Sequence, residues 1–135
     1  MKKIVALLSI CLLPFVLSAQ EQKTPEQREK EFYEAVQQQI DRLTALLDLD
    51  DSQIFYADSI LTHDYTAMQE EYVSLSQAKV SNADIYYDVQ DKWMEQIYNS
   101  FHRILDEDQW QKYLKSGAAR DKKARDKRAE KKLKK

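Results

Sequence analysis

The side chains best suited to metal chemistry are two histidines, His63 and His102, and the aspartate beside the first, Asp64. A selective transition-metal site usually has three or more nitrogen or sulfur ligands. The two histidines are 39 positions apart, and no HxxxH or ExxH spacing gives either of them a second ligand. The sequence therefore predicts no metal site, with His63 and His102 as weak candidates only.

No catalytic residue is predicted, and we expect the chain not to be an enzyme. Its many carboxylates fall where helix caps and solvated helix faces need them, and the sequence has no glycine-rich phosphate loop. No nucleophile has a recognisable base near it, and the one cysteine, Cys11, lies in the N-terminal segment. No cofactor is expected.

The first 19 residues have the layout of a secretory signal peptide. Two lysines precede an apolar run over residues 4–17, and small residues follow it as far as Ala19. The run is shorter than the about 20 apolar residues that a membrane-spanning helix needs. We expect cleavage after Ala19 and export to the periplasm, with an uncleaved N-terminal anchor as the alternative.

The composition predicts an all-α fold, because one glycine and two prolines are too few for the tight turns of a sheet. Apolar residues recur at steps of three and four along three long segments. We expect long antiparallel helices forming a hairpin-like layer over residues 20–117, with a short fourth helix, followed by a basic tail at 118–135. The residues expected to pack a core shared by two copies are Phe32, Val36, Leu61, Tyr65, Trp93, Ile97 and Phe101.

Two five-residue phrases, LDDSQ at 49–53 and LDEDQ at 105–109, stand at the expected junctions between helices. In each phrase the first aspartate, Asp50 or Asp106, is a good N-cap. A glutamine three positions later, Gln53 or Gln109, completes a capping box. Gly117 is expected to end the fourth helix.

Both phrases fit the pattern L-[TD]-x-x-Q, and over about residues 40–115 the chain resembles the Spy/CpxP-like periplasmic proteins, the LTxxQ-motif family. The resemblance implies an ATP-independent chaperone or envelope-stress protein that holds unfolded or misassembled clients. It also implies a cradle-shaped homodimer built from coiled-coil-like pairs of long helices. A periplasmic divalent-metal-binding sensor or resistance protein of the same helical family is the alternative. The motif residues, which the resemblance makes structural helix caps, are Leu49, Asp50, Gln53, Leu105, Asp106 and Gln109.

Four tyrosines fall beside the apolar stripes and are the candidate client-binding residues: Tyr33, Tyr56, Tyr87 and Tyr98. Amphipathic rings at half-exposed positions suit adaptable contacts. Thin helical layers also leave aromatic residues partly exposed without any function, and the sequence leaves both interpretations open.

Charge is distributed unevenly along the chain. Residues 20–114 hold 8 Lys/Arg and 20 Asp/Glu, a net charge of −12, whereas residues 115–135 hold 11 and 3, a net charge of +8. The acidic body favours basic or neutral clients and argues against nucleic acid as a partner. The tail is either solvated and frayed or a basic arm for an anionic surface or for the acidic body of this or another subunit.

Overall fold

The computed structural model describes residues 22–135, so the predicted signal peptide lies outside the described residues. Its helices are α1 (Pro25–Leu47), α2 (Asp51–Gln77), α3 (Ala83–Ile104), α4 (Glu107–Tyr113) and α5 (Ala119–Leu133). A π-helical turn at Leu114–Ala118 joins the last two. No strand occurs within residues 22–135, and the predicted all-α class is confirmed. None of these helices is long and apolar enough to cross a membrane.

The helices begin at the capping residues that the sequence indicates. Asp50 at α2 and Asp106 at α4 each accept a hydrogen bond from the backbone N–H three residues later, and both capping boxes are complete. Thr24 forms a third box at the start of α1. Each such cap contributes about 1 kcal/mol to the stability of its helix. The chain turns between α1 and α2 at Asp48, which adopts a left-handed conformation with φ of 53°.

Neighbouring helices run antiparallel. Helix α2 contacts both α1 and α3, α4 contacts α1, and α5 contacts α3. Asp64 of α2 accepts a hydrogen bond from Gln96, and Glu71, farther along α2, pairs with Lys92, which comes earlier in α3. The direction of α3 is therefore opposite to that of α2.

Burial is concentrated at one end of the molecule, around the two LDxxQ phrases. Every buried residue of the described part of the chain lies within 36–64 or 97–125, and none lies within 22–35 or 65–96. We call the first region the packed end and the second the open end. The apolar core at the packed end consists of Val36, Ile40, Leu43, Leu47, Leu49, Ala57, Leu61, Ile97, Phe101, Leu105 and Trp110.

Within one chain, six of the seven predicted core residues belong to the core or pack against it and Trp93 does not, whereas a core shared by two copies stays a prediction. Phe32 and Tyr65 are partly buried and pack against the core, and the four remaining residues are inside it. Trp93 lies outside the core, where its indole Nε1 donates to Glu71 Oε1 at 3.0 Å and Lys92 Nζ lies over its ring. The indole N–H needs a polar partner, and the carboxylate at the edge of the α2–α3 contact supplies it.

Gly117 interrupts the helical path after α4, at the position where the sequence predicts the end of the fourth helix. Gly117 has φ of 123°, a conformation that glycine adopts without the steric cost of a Cβ atom. It makes a kink between two helical segments, and α5 follows it directly. The predicted tail is thus helical over Ala119–Leu133.

Candidate functional site

The two LDxxQ phrases meet at the packed end although they are far apart in the sequence. Gln53 Nε2 donates to Gln109 Oε1 at 2.7 Å, and Gln109 Nε2 donates to Gln53 Oε1 at 2.9 Å. Each side-chain amide is thus both donor and acceptor for the other. We call these two residues the glutamine pair.

The glutamine pair ties four helix ends together. Each Oε1 also accepts the backbone N–H of its own N-cap residue, at 3.1 Å for Gln53 and 3.0 Å for Gln109. Gln53 Nε2 also donates to the carbonyl of Ile104 at 2.9 Å, and Gln109 Nε2 to the carbonyl of Leu47 at 3.2 Å. Because Ile104 ends α3 and Leu47 ends α1, the pair satisfies carbonyl groups that helix ends leave without a partner.

These hydrogen bonds give the motif residues a structural role at the helix junctions. Gln109 is buried, and Leu49 and Leu105 are in the core beside it. The capping bonds predicted from the sequence are present, whereas the amide-to-amide contact was missed. The signal that could have found it is the repetition itself, since two identical box glutamines at neighbouring junctions offer matching donors and acceptors.

The two candidate metal-binding histidines make separate contacts. His63 Nδ1 lies 2.8 Å from Asp64 Oδ1, and its ring packs edge-on against Trp93. The ring of His102 stacks on Trp110, with 4.1 Å between the ring centroids. Within residues 22–135, no group of three or more His, Cys, Asp or Glu side chains is arranged to hold a metal ion.

An aromatic cluster at the packed end consists of two core residues, Phe101 and Trp110, and the tyrosines that pack against them. Tyr98 meets the edge of Trp110 at 4.9 Å between ring centroids, and Tyr113 stacks on Phe101 at 5.4 Å. Burial of the Tyr113 hydroxyl raises its pKa to about 12. This cluster joins α3 to α4, and the rings of Tyr98 and His102 cover parts of the Trp110 side chain.

A shallow groove runs between α1 and α2 at the open end. Its two adjoining parts have volumes of about 340 and 390 Å³, and Phe32 and Gln69 line both. The deeper wall is apolar, with Val36, Tyr65 and Met68. The outer wall carries mixed charges, and its charged residues are Arg28, Glu29 and Glu70.

A second hollow, of about 410 Å³, lies beside the turn between α2 and α3. Tyr72 and Tyr86 stack there with 6.0 Å between ring centroids, and the Tyr86 hydroxyl donates to the carbonyl of Val80 at 2.8 Å. Tyr87 lines the same hollow and is largely exposed. The open end thus has two hollows lined by aromatic side chains.

The four candidate client-binding tyrosines do not form one cluster. Tyr33 and Tyr87 are at the open end, and Tyr56 is in the first turns of α2 at the packed end; these three are 51%, 55% and 53% exposed. Tyr98 is different, because it is half-buried beneath α5. Lys122 Nζ lies 5.8 Å, and the Arg125 guanidinium 5.6 Å, from the centroid of its ring.

Helix α5 is held against α3 by a series of ion pairs that we call the charge ladder. Arg128 donates two hydrogen bonds to Asp91, at 2.7 and 2.6 Å. Arg125 and Lys122 both pair with Glu95, at 3.1 and 2.9 Å, and the last rung joins Lys132 to Asp88. Hydrogen bonds to Asp126 and Glu95 raise the pKa of Lys122, and the bond to Asp91 raises the pKa of Arg128.

Sequence reasoning offered the acidic body as one partner of the basic tail but missed the residue pairs of the charge ladder, although a signal for them exists. The carboxylates Asp88, Asp91 and Glu95 are spaced by three and four residues, and their cationic partners follow steps of three and four as well. Such spacing puts each set on one helix face. The two complementary faces lie on α3 and α5, which the short α4 and the kink at Gly117 connect.

Comparisons of the chain with protein-family models, with curated proteins and with solved structures found no match. The resemblance to the Spy/CpxP-like proteins stays a prediction. It depends on the two LDxxQ phrases and on the order of helices around them.

Proposed function

We propose that this chain is an ATP-independent holding chaperone of the cell envelope, similar in function to the Spy/CpxP-like proteins. In this proposal it binds unfolded or misassembled proteins after its export to the periplasm and releases them without nucleotide hydrolysis. The observation that carries the proposal is the pair of aromatic hollows at the open end, whose lining residues are all half-buried or exposed except Val36, at the margin of the core.

The open end has the mixture of groups that adaptable binding needs. Tyr33 and Tyr87 present large rings with hydroxyl groups that can donate or accept hydrogen bonds. Met68, in the groove, is an unbranched side chain that adjusts to differently shaped partners. The backbone of the helices that carry these side chains is already hydrogen-bonded within each helix. The side chains can therefore contact a client while the helices stay folded.

Clients of neutral or basic character fit this surface best. The body of the chain has a net charge of −12 over residues 20–114, which repels acidic polypeptides. Glu29 and Glu70 line the groove, and the positive charge of Arg28 beside them partly offsets their repulsion of acidic polypeptides. Apolar segments flanked by lysine or arginine are therefore the expected client sequences.

A homodimer is part of the proposal. Phe32 and Tyr65 are only partly covered within one chain, and Val73 and Ile85 are exposed at the same end. A second copy that packs on part of the open end would bury apolar surface that a thin layer of helices leaves uncovered. The remaining part would form the client-binding cradle.

The test is an aggregation assay with the processed chain, as purified from the periplasm of an expressing bacterium. We expect suppression of light scattering by a chemically denatured basic client at near-stoichiometric ratio and without nucleotide. The double substitution Tyr33→Ala and Tyr87→Ala is expected to weaken suppression about tenfold, since each exposed ring contributes roughly 0.5–1.5 kcal/mol to binding.

Tyr56→Ala is the matched control, because Tyr56 is as exposed as the other two rings and lies at the packed end. It is expected to leave suppression unchanged. Failure of the unaltered protein to suppress aggregation of acidic, neutral and basic clients alike would refute the chaperone proposal. Equal losses in the control and the double variant would refute the assignment to the open end.

A further inference from the structure

The cations of α5 are divided between two opposite faces. Successive residues of an α-helix are about 100° apart, so residues two positions from Arg125 project on the side away from it. Arg125 is buried against α3, and Lys123 and Lys127 therefore face away from the rest of the chain. Lys131 and Lys134 continue this outer face at steps of four and three residues. We call these four residues the lysine row.

The lysine row makes no ion pair within residues 22–135, unlike the inner face, although Glu130 projects on the same side of α5. All four lysines are exposed, and no carboxylate of residues 22–135 lies within ion-pair distance of any of them. The inner cations are neutralised by Asp88, Asp91 and Glu95 through the charge ladder. The ladder thus fixes α5 in place and leaves an unneutralised row, about 16 Å long, on its outer side.

We propose that the lysine row docks the protein on an anionic lipid surface. The inner face holds two of the three arginines of α5, Arg125 and Arg128, together with Lys122 and Lys132, all paired with carboxylates of α3. The third arginine, Arg120, pairs with the neighbouring Asp121, and the outer row contains lysines alone. A lysine is a compact charge on a flexible stem and attracts phosphate groups without demanding a fixed geometry. A straight row of such charges fits a flat layer of phosphate headgroups better than a shaped protein site.

The rest of the chain favours the same orientation. The acidic body is repelled by an anionic bilayer, so the protein approaches it through α5 alone. Apart from alanines, Leu133 is the one apolar residue of α5, which is too little for insertion into the acyl region. Binding is therefore electrostatic and reversible by salt. This inference does not depend on the proposed chaperone function.

The experiment is co-sedimentation of the processed chain with unilamellar vesicles, either of phosphatidylcholine alone or with roughly one third phosphatidylglycerol. The quantity compared is the extra binding to anionic vesicles over the binding to phosphatidylcholine alone. We expect the extra binding to disappear between about 0.05 M and about 0.5 M NaCl, since the Debye length falls from above 10 Å to a few ångströms.

The variant with Lys123→Gln, Lys127→Gln and Lys131→Gln is expected to lose roughly 100-fold in partitioning, at about fivefold per lysine. Its control carries Arg42→Gln, Lys79→Gln and Arg103→Gln, which remove three exposed cations elsewhere. The control is expected to keep most of the binding. Both variants are expected to unfold at the temperature of the unaltered protein, because none of the six residues has an ion-pair partner among residues 22–135.

Equal binding to both kinds of vesicle, or equal losses in variant and control, would overturn the proposal. Sedimentation velocity without vesicles provides a second arm. Salt-sensitive self-association that the lysine variant abolishes, together with no extra binding to anionic vesicles, would assign the row to the acidic body of another copy instead. That result would also overturn the lipid proposal.

Discussion

At the scale of single residues, the glutamine pair shows why a helix cap can need one particular side chain. A capping box needs only an acceptor at its third position, and glutamate supplies one as well as glutamine does. Gln53 and Gln109 also donate, both to each other and to the carbonyls that end α1 and α3. Their amide groups therefore satisfy requirements that a carboxylate cannot.

Gln109→Glu is expected to lower the free energy of unfolding by about 3 kcal/mol. The change removes two donors and buries a carboxylate against the carbonyl of Leu47 and the side-chain oxygen of Gln53. Urea unfolding followed by circular dichroism at neutral pH measures the loss.

Gln27→Glu is the control for this change, since Gln27 has the same box position in α1 and is exposed. Its effect is expected to stay within about 0.5 kcal/mol, because glutamate suits the first turn of a helix. Similar losses in the two variants would show that the contact between the glutamines contributes nothing.

A second residue-scale prediction concerns alkaline pH. The pKa of Tyr113 is raised by burial to about 12 in the folded protein, against an ordinary value of 10.0. Between these values the unfolded chain releases the proton and the folded chain keeps it. Stability from this group is therefore complete below pH 10 and is lost as the pH rises toward 12, by roughly 2–3 kcal/mol in total.

Tyr113→Phe is expected to remove this part of the pH dependence. The measurement is the free energy of unfolding of both proteins between pH 9 and about pH 11.5, with Tyr56→Phe as an exposed control. Parallel curves for the unaltered protein and Tyr113→Phe would mean that the phenol ionises as readily in the folded state as in the unfolded one.

At the scale of helices, the charge ladder determines whether α5 stays packed against α3. Single exposed ion pairs contribute little, but Arg128 and Asp91 form a two-bonded pair and Glu95 joins two cations. Arg125 is buried with one nitrogen, Nη2, that has no hydrogen-bond partner. The ion pairs favour the packing of α5 on α3, and the unsatisfied nitrogen opposes it. We therefore expect the net free energy of this packing to be small.

Arg128→Glu is expected to release α5 without unfolding the core. Amide hydrogen exchange over residues 119–133 is predicted to become at least tenfold faster, while exchange at Leu61 and Phe101 is unchanged. Combining it with Asp91→Lys restores an opposite pair and is expected to recover much of the protection. Protection of α5 that is insensitive to both single changes would contradict the ladder.

The helices of this chain are readable from sequence, whereas the contacts between them are not. The caps at Asp50 and Asp106 and the apolar steps along α1 are local signals, and the structure bears them out. Gly117 marks the break after α4, but a glycine gives no local signal that another helix follows it directly. The glutamine pair depends on which helix junctions come together, and the charge ladder depends on which helix faces come together. A local sequence pattern does not predict either of these tertiary contacts.

At the scale of the whole molecule, the chain has two ends with different physical properties. The packed end contains the core and the glutamine pair, and the open end contains aromatic hollows lined almost entirely by half-buried or exposed residues. Segments with few buried apolar contacts rearrange at low cost, which suits a surface for varied partners. Rigid helix junctions at one end can therefore support an adaptable binding surface at the other.

The measurement that tests this account most directly is site-specific photo-crosslinking to a denatured client. A photoreactive phenylalanine analogue is placed at residue 33 or 87 at the open end, or at residue 56 at the packed end, where the native rings are similarly exposed. The account predicts strong client crosslinks from residues 33 and 87 and weak ones from residue 56. Equal crosslinking at all three positions, or crosslinking mainly from residue 56, would contradict it.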